Sequence, residues 1–488
     1  MPGGVVRVYP ASGAVAMLPL TPANNWTSTI LFCGGSDMPD EYWGNYSFPN
    51  YNTWTYPASV NCQRLTPEPQ DGSAPQYVQD DDMLEGRTMG QFIILPDGTL
   101  VVINGGTNGT AGYAQATGVT SSFSKMPFGE SLASGPVGTP SIYNPNMPSG
   151  SRWSNAGLAS SNIARLYHSS AMLLPDASVL IAGSNPNIDV NLTTIFPTTY
   201  TAEIFYPSYF NSPVRPVPTG VPDTLSYGGA YFNITVSSSS YTGSANAAAS
   251  NTTVVLTRGG FTTHAMNMGQ RFLQLNSTYT VNSDGSYVLH VSQVPPNPNI
   301  LTPGPCLLWV VVNGIPSNAT MVIVGSGQFG QQPTNDVSDL PSSVQNAAAK
   351  GDGDSQSSSG SSSHTGTIVA VVIAAIGAIA IIGAFVGIVV ARRRRAASRQ
   401  HPSASYAMGA TRAGFATSGG ASLNRHADQG RKSNSSAFVP LQQDNSSMAW
   451  NTSTVSLQSS YRDDFDGRPP YDPYSAEAVG RSSSGQRL

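Results

Sequence analysis

The feature that most constrains the fold is a hydrophobic strand pattern that occurs three times before residue 185. Each copy, at 29–35, 95–106 and 174–184, ends in paired small residues, and the last two contain an Asp-centred turn. These two copies also follow matching segments, Gly86–Met89 and Ala164–Tyr167, each with Arg in second place. Short strands joined by turns in a long repeat are typical of β-propeller blades. We therefore predict a kelch-type β-propeller over residues 1–215, with loop insertions that lengthen the usual repeat of about 50 residues.

The length of this region limits the number of blades. Because roughly 210 residues with long insertions supply about three or four blades, and propellers usually close with more, the predicted propeller is partial. An open propeller would leave strand edges bare and its central channel unsealed. The opening sequence MPGGVVRVYPASGAVAML also lacks the basic segment and apolar core of a signal peptide. We expect residues 1–215 to be the later part of a larger propeller.

A second β-rich domain is predicted over residues 216–327. Alternating segments such as Tyr231–Val236, Thr253–Thr257 and Leu307–Val312 recur with turns between them. Strands about every ten residues indicate an immunoglobulin-like β-sandwich. The fold class predicted for the folded part of the chain is therefore all-β.

The remainder of the chain is predicted to be a membrane anchor and its flanks. Residues 328–366 are rich in Ser, Gly, Asp and Gln and poor in hydrophobic residues, so we expect a flexible stalk. Residues 367–391 carry no charge, and a helix of about 25 residues covers ~37 Å, enough for one transmembrane span. The arginines at 392–395 place the disordered tail, 392–488, in the cytosol. We expect a single-pass type I protein of the plasma membrane with its ectodomain outside.

Composition fits an extracellular, loop-rich protein. Only 10% of residues are charged, and Gly and Pro number 49 and 37. The formal net charge is −4, and the first 350 residues contain no basic patch, which argues against nucleic acid binding. Eight Asn-x-Ser/Thr sequons before the span predict a glycoprotein: Asn25, Asn45, Asn108, Asn191, Asn233, Asn251, Asn276 and Asn318. The three cysteines allow one internal disulfide, for which Cys33 and Cys62 are nearest, leaving Cys306 as a buried thiol.

Three donors of the right chemistry for copper stand out. Tyr167 and His168 are adjacent, and His264 lies in a Gly-flanked segment that favours a loop or a finger-like hairpin. Imidazole and phenolate suit Cu(II), but neighbours on a regular strand point to opposite faces, so the strand must begin irregularly at Tyr167. Taken singly, each side chain has a structural interpretation, as a half-buried phenol or a hydrogen-bonded surface histidine. His290, on an alternating strand, is predicted to be structural.

Several motifs together resemble a known family. They are Ala164–Ala171, Thr262–Arg271 and Pro303–Ser317, with support from Asp80–Gln91 and Gly183–Asn187. From about residue 4 to residue 327 the chain is similar to fungal glyoxal oxidases, which are relatives of galactose oxidase. The resemblance implies a kelch propeller and an early-set domain whose finger enters the propeller channel, with one copper ion held by Tyr167, His168 and His264. Tyr167 would also be the catalytic residue that takes the substrate proton.

The resemblance implies a copper radical oxidase that converts small aldehydes or α-hydroxy carbonyls to carboxylic acids and reduces O2 to H2O2. Oxidation of a hydrated aldehyde removes two electrons, and the family stores one of them as a radical on a tyrosine joined to a cysteine. No segment of residues 1–166 matches that Tyr-Cys pair, and Met89 stands at the repeat position of the tyrosine. We therefore expect this chain to be inactive. The alternatives are a non-catalytic membrane-anchored protein that binds glycans or wall polymers and, with less support, a signalling receptor.

Overall fold

The computed structural model describes residues 1–43, 49–347 and the backbone of a strand at Ala437–Pro440. Residues 14–206 form three antiparallel sheets, one after another along the chain. The first sheet contains β1 (Ala14–Met17), β2 (Ile30–Cys33), β3 (Cys62–Leu65) and β4 (Tyr77–Gln79). The second contains β5 (Gln91–Ile94), β6 (Leu100–Ile103), β9 (Ser141–Tyr143) and β10 (Trp153–Ser154), after an inserted hairpin of β7 (Gly106–Tyr113) and β8 (Ser131–Pro136). The third contains β11 (Ser169–Leu173), β12 (Val179–Gly183) and β13 (Glu203–Tyr206), with Ala437–Pro440 as its outer strand.

Successive sheets are joined by one repeated contact. The Gly35 N–H donates to the Arg87 carbonyl at 3.1 Å, and the Gly105 N–H donates to the Arg165 carbonyl at 2.8 Å. The glycines are needed there because a Cβ on Gly105, whose φ is +92°, would lie 2.1 Å from the Thr88 carbonyl oxygen. The repeated motif seen in the sequence therefore holds each blade against the next.

A buried arginine precedes the first strand of each of the three blade sheets. Arg7, Arg87 and Arg165 are at most 3% exposed, and their guanidinium groups donate to backbone carbonyls, as in the 2.9 Å bond from Arg87 to Asn104. Arg165 also pairs with Glu203 of β13 at 2.9 Å. These contacts fix the backbone position from which the first strand of each blade begins.

Residues 218–337 form a β-sandwich in which most neighbouring strands are not consecutive in the chain. One sheet contains β14 (Pro218–Thr219), β17 (Phe232–Val236), β23 (Tyr287–Val291) and β22 (Ser277–Val281). The other contains β15 (Thr224–Leu225), β18 (Thr252–Arg258), β21 (Arg271–Leu275), β24 (Gly304–Val312), β25 (Ile315–Pro316) and β26 (Thr320–Val324). Two small sheets accompany them, a pair of β16 (Tyr227–Gly229) with β27 (Thr334–Val337) and a hairpin of β19 (Phe261–Thr263) with β20 (Met266–Met268).

Helices are few and short among the described residues. The α-helices are α1 (Asp40–Trp43) and α2 (Ala245–Ser250). Single turns of 3-10 helix occur at Pro2–Gly4, Pro22–Asn24, Thr53–Thr55, Phe123–Lys125, Ser208–Asn211 and Ser238–Ser240. The predicted all-β class is thus confirmed.

The sandwich packs directly on the blades. Trp309 is fully buried and belongs to the same hydrophobic core as Phe92 and Ile93 of β5, while its indole N–H donates to Thr257 at 2.8 Å. The β19–β20 hairpin is anchored on two blades, because Asn267 donates to the Ala171 carbonyl at 3.2 Å and the Ile94 N–H donates to the Gln270 side chain at 3.1 Å. We call this hairpin, Phe261–Met268, the finger.

Two expectations about the C-terminal part are wrong where the structure describes it. The first residues of the predicted stalk pack on the sandwich: Thr334–Val337 pair with Tyr227–Gly229, and the Val344 N–H donates to the Tyr279 carbonyl at 2.7 Å. Backbone pairing needs few hydrophobic side chains, which is why composition missed it. Likewise Ala437–Pro440 form a strand against Glu203–Tyr206, so these four tail residues are not disordered.

The predicted transmembrane segment, 367–391, lies outside the described residues. Within the part of the chain that the structure describes, no helix is both long and apolar enough to cross a membrane.

Candidate metal centre

Tyr167 and His168 lie in the turn that leads into β11, which begins at Ser169. His168 has a φ of 117°, a conformation that non-glycine residues rarely adopt. This turn allows the two neighbouring rings to face each other, with centroids 3.9 Å apart. The prediction of an irregular strand start at Tyr167 is confirmed, and the reason is the unusual backbone of His168.

The loop after β12 holds this turn from the opposite side. Ser184 Oγ accepts a 3.0 Å hydrogen bond from the Leu166 N–H, and the Asn185 N–H donates to the Tyr167 carbonyl at 2.7 Å. The Asn185 carbonyl lies 2.9 Å from His168 Nδ1. With Nδ1 donating to that carbonyl, the Nε2 lone pair of His168 is free to bind a metal.

His264 occupies the tip of the finger. His264 and Ala265 have φ values of 53° and 58°, and they join β19 to β20 as a two-residue turn with both central residues at positive φ. Such turns match the right-handed twist of the paired strands. The finger-like hairpin predicted for this segment is confirmed, and the turn leaves the imidazole exposed with Nδ1 2.8 Å from Thr263 Oγ1.

The finger brings His264 to the Tyr167 turn. Ala265 is 1% exposed and shares a buried cluster with Leu166, Tyr167 and Met89. Ser12, which precedes β1, donates from Oγ to the His264 carbonyl at 3.0 Å. Segments from all three blades therefore converge on the tip of the finger.

Two further tyrosines lie at this convergence, and sequence reasoning missed both. The Tyr9 ring is 6.1 Å from Tyr167 and meets His264 edge-on at 5.1 Å. The Tyr113 ring, on β7, is 6.1 Å from Tyr167 and 6.4 Å from His168. A signal existed for Tyr9, because Arg7-Val8-Tyr9 repeats the spacing of Arg165-Leu166-Tyr167.

The phenol of Tyr167 is only 7% exposed. Burial raises the pKa of Tyr167 well above its ordinary value, and a hydrogen bond with the Tyr9 side chain raises it further. In the absence of a nearby cation, Tyr167 is therefore a neutral phenol at physiological pH. Once deprotonated it would be a strong proton acceptor.

The donor set fits a copper ion in its chemistry. Each imidazole is held through Nδ1 and offers Nε2, and the adjacent phenol adds an oxygen donor, the combination that Cu(II) accepts. Among residues 1–43 and 49–347 there is no cluster of three or more His, Cys, Asp or Glu side chains that could hold a metal. His290 lies elsewhere, bonded to Asn233 at 2.8 Å and Thr280 at 3.0 Å, as its structural interpretation predicts.

No cysteine is available beside these tyrosines. Cys33 and Cys62 are direct neighbours across β2 and β3 and form the predicted disulfide. Cys306 is a buried free thiol in β24, 3.2 Å from the Arg258 guanidinium, and burial raises its pKa. The chain has three cysteines in all, so none can form a thioether with a tyrosine of the site.

Comparison with known proteins identifies both domains. Residues 1–209 match the family model described as glyoxal oxidase N-terminus, and residues 215–324 match the galactose oxidase-like early set domain. An aldehyde oxidase of Arabidopsis thaliana is 32% identical over 65% of this chain and 48% of its own length. A galactose oxidase of Gibberella zeae is 28% identical over 64% of this chain and 41% of its own length.

A solved structure described as a fungal alcohol oxidase of the AA5 family in complex with copper is 20% identical to this chain. The alignment covers 64% of this chain and 53% of that one, with a TM-score of 0.43. The chain spans about half the length of the curated relatives that it matches.

Proposed function

Residues 1–324 combine a glyoxal oxidase N-terminal domain with a galactose oxidase-like early-set domain, and on that premise we propose that the protein is a copper radical oxidase of the glyoxal oxidase type. Its substrates would be small aldehydes or α-hydroxy carbonyls, oxidised to carboxylic acids while O2 is reduced to H2O2. The observation that carries the proposal is the meeting of Tyr167 and His168 with the finger that presents His264.

The three side chains would divide the work between binding and proton transfer. His168 and His264 would hold one copper ion through Nε2, since their Nδ1 atoms are engaged with Asn185 and Thr263. A bound copper ion supplies a one-electron acceptor. Tyr167 would accept the substrate hydroxyl proton at its phenol oxygen, the role that the resemblance to the glyoxal oxidases implies for this position.

A second one-electron acceptor is required, because oxidation of a hydrated aldehyde releases two electrons. In the family that this chain resembles, that acceptor is a tyrosine joined to a cysteine. The disulfide uses Cys33 and Cys62, and Cys306 is buried in the sandwich, so we propose that this chain does not turn over by itself.

The proposal is tested on the full 488-residue chain loaded with Cu(II). We expect copper binding without H2O2 release from methylglyoxal, and H2O2 release only from a version that restores the Tyr-Cys pair in an added N-terminal segment. Peroxide is read by a coupled peroxidase assay, with metal-free protein as control. Absence of copper binding, together with retention on immobilised wall polysaccharides, would instead establish the non-catalytic glycan-binding function.

We also propose that residues 367–391 anchor the protein in the plasma membrane with residues 1–366 outside. Five of the eight sequons lie at exposed positions, namely Asn25, Asn233, Asn251, Asn276 and Asn318, which supports a glycosylated ectodomain. Pairing of Ala437–Pro440 with Glu203–Tyr206 requires both segments on one side of the bilayer. The proposal therefore predicts that this pairing is lost in the membrane-anchored molecule, in which residues 203–206 and 437–440 lie on opposite sides of the bilayer.

The membrane proposal is tested by alkaline carbonate extraction and glycosidase digestion of the full chain expressed in cells. An anchored glycoprotein stays with the membrane pellet and loses mass on digestion. Release into the supernatant, with no change in mass, would overturn the proposal.

A further inference from the structure

The Tyr9 segment differs from its equivalents in the other two blades by an insertion. Arg87 and Arg165 stand four positions before the first residues of their strands, Gln91 and Ser169, whereas Arg7 stands seven positions before Ala14. Three additional residues are therefore accommodated in Val8–Gly13, which we call the Tyr9 loop. Tyr9 itself keeps the spacing from Arg7 that Tyr167 has from Arg165, so the additional residues lie between Tyr9 and Ala14.

The Tyr9 loop is held by hydrogen bonds from three directions. The bonds run from the Ala111 N–H to the Pro10 carbonyl (2.7 Å), from the Met89 N–H to the Ser12 carbonyl (2.7 Å), from Thr88 Oγ1 to the Ala11 carbonyl (2.7 Å) and from Ser12 Oγ to the His264 carbonyl (3.0 Å). They connect the loop to the second blade, to the inserted β7 and to the finger. Tyr9 consequently projects from a fixed backbone.

From this backbone the Tyr9 ring lies between two donors that come from different domains. Its centroid is 6.1 Å from Tyr167 and 5.1 Å from His264, with the His264 ring at 76° in an edge-on contact. Edge-to-face contacts between rings are attractive and directional.

The hairpin that carries His264 restricts the rotation of its imidazole only weakly. A neighbouring side chain is therefore needed to hold the ring in place. His264 is exposed at the tip of a two-residue turn, and within the described residues its side chain is hydrogen-bonded only to the adjacent Thr263. An exposed side chain loses rotamer freedom when it binds a metal unless another group already restricts it. A tyrosine restricts it at little cost, since its side chain has only two torsions.

We infer that Tyr9 is a positioning residue of the metal centre, which fixes the Tyr167 phenol and the His264 imidazole relative to each other so that both can reach one ion. The inference rests on the proposed copper site but concerns a residue that acts through the ligands rather than on the substrate.

Tyr113 provides a matched control. Tyr9 and Tyr113 are each 37% exposed, and each ring lies 6.1 Å from Tyr167. The second aromatic contact of Tyr113 is with His168, whereas that of Tyr9 is with His264. Loss of Tyr9 should therefore disturb His264, and loss of Tyr113 should not.

The test uses the full chain with isotope-labelled His and Tyr rings, as wild type, Tyr9→Ala, Tyr9→Phe and Tyr113→Phe. In the metal-free proteins we expect Tyr9→Ala to shift the NMR ring resonances of both His264 and Tyr167. Tyr9→Phe, which keeps both ring contacts, should leave His264 near its wild-type position. Tyr113→Phe should leave His264 unchanged.

With Cu(II) added, Tyr9→Ala should weaken binding about 10-fold, the range found when groups that orient metal ligands are removed, and should broaden the Cu(II) EPR spectrum. Tyr9→Phe should restore most of the affinity. Unchanged His264 resonances and an unchanged EPR spectrum in Tyr9→Ala would overturn the inference.

The same experiment separates this inference from the proposed function. If wild type binds no copper, the copper site fails, while the metal-free NMR comparison still decides whether Tyr9 positions His264. If Tyr9→Ala does not fold, Tyr9→Leu decides instead, because it keeps apolar volume but removes the ring: an unshifted His264 resonance in that variant would contradict the positioning role.

Discussion

The second and third blades begin their first strands in the same way but carry different side chains. Arg87 and Arg165 are both buried, and two residues later the chain has Met89 in one blade and Tyr167 in the other. Both residues lie in one hydrophobic cluster beneath the finger. The next position is glycine in the second blade and His168 in the third.

The two blades share the buried arginine but differ in backbone at the two positions that carry the chemistry: the positive φ lies on Met89 (58°) in the second blade and on His168 (117°) in the third. His168 stands where the second blade has a glycine and adopts a φ of 117°. A histidine in that conformation is strained, and such strain concentrates at functional sites because selection for function tolerates it. The ligand role proposed for His168 gives the strain a reason.

The difference between the blades is tested most directly by removing a proposed copper ligand while the β-sheets stay intact. We expect His264→Ala to weaken Cu(II) binding by more than about 100-fold, because loss of an imidazole ligand should exceed the effect of losing a group that orients one. Competition with a chelator of known affinity measures the change. His290→Ala is the control, since His290 lies in the same domain but bonds only Asn233 and Thr280. An equal loss in both variants would refute the assignment of His264.

The first and second blades are joined by a buried carboxylate, Asp80, whose hydrogen bonds are acid-sensitive. Asp80 accepts hydrogen bonds from Arg64, Arg152 and Tyr143. Burial alone would raise its pKa, but these bonds outweigh burial and lower the pKa of Asp80 to about 2. A carboxyl whose pKa falls on folding stabilises the protein above the unfolded-state pKa of about 4, so this contribution disappears as the pH falls from about 4 to about 2.

We therefore expect the free energy of unfolding to drop by about 2 kcal/mol over that pH range through Asp80 alone. Urea unfolding at several pH values, monitored by fluorescence, measures the drop. In Asp80→Asn this part of the pH dependence should be missing, and the variant should be less stable at pH 7. Parallel pH profiles for the two proteins would show that Asp80 is not the sensitive group.

The smallest expected effect concerns the strain at His168. In a regular strand, a protein with glycine is less stable than the same protein with alanine. At the φ of 117° found for His168 the order should reverse, because only glycine adopts this conformation freely. We expect the free energy of unfolding of His168→Gly to exceed that of His168→Ala by about 1 kcal/mol. Both variants lose the bond to Asn185, so their difference isolates the backbone. Thermal and urea unfolding provide the measurement, and the reverse order of stability would mean that His168 is unstrained.

Much of this architecture was predictable because the repeat is local. Hydrophobic runs, Asp-centred turns and paired glycines are set within a few residues, and the finger was recognisable from the glycines around His264. The Cys33–Cys62 disulfide followed from counting. Tyr167, His168 and His264 were candidates because imidazole is scarce before residue 364 and the donor types suit copper.

The residues that sequence reasoning missed depend on contacts between distant segments. Tyr9 belongs to the first blade and meets Tyr167 and His264 only when the blades and the finger are packed together, and Tyr113 arrives on an inserted hairpin. The packing of 334–347 on the sandwich relies on backbone hydrogen bonds, which leave little trace in hydrophobicity. Register between distant strands is a tertiary property, and one sequence does not reveal it.

The central claim is that Tyr167, His168 and His264 share one copper ion, and the most direct measurement is the number of Cu(II) equivalents bound per full-length chain with the EPR spectrum of that copper. We predict one equivalent with nitrogen hyperfine coupling from two imidazoles, reduced to one imidazole in His168→Gly. No bound copper, or a spectrum that His168→Gly and His264→Ala leave unchanged, would contradict the account.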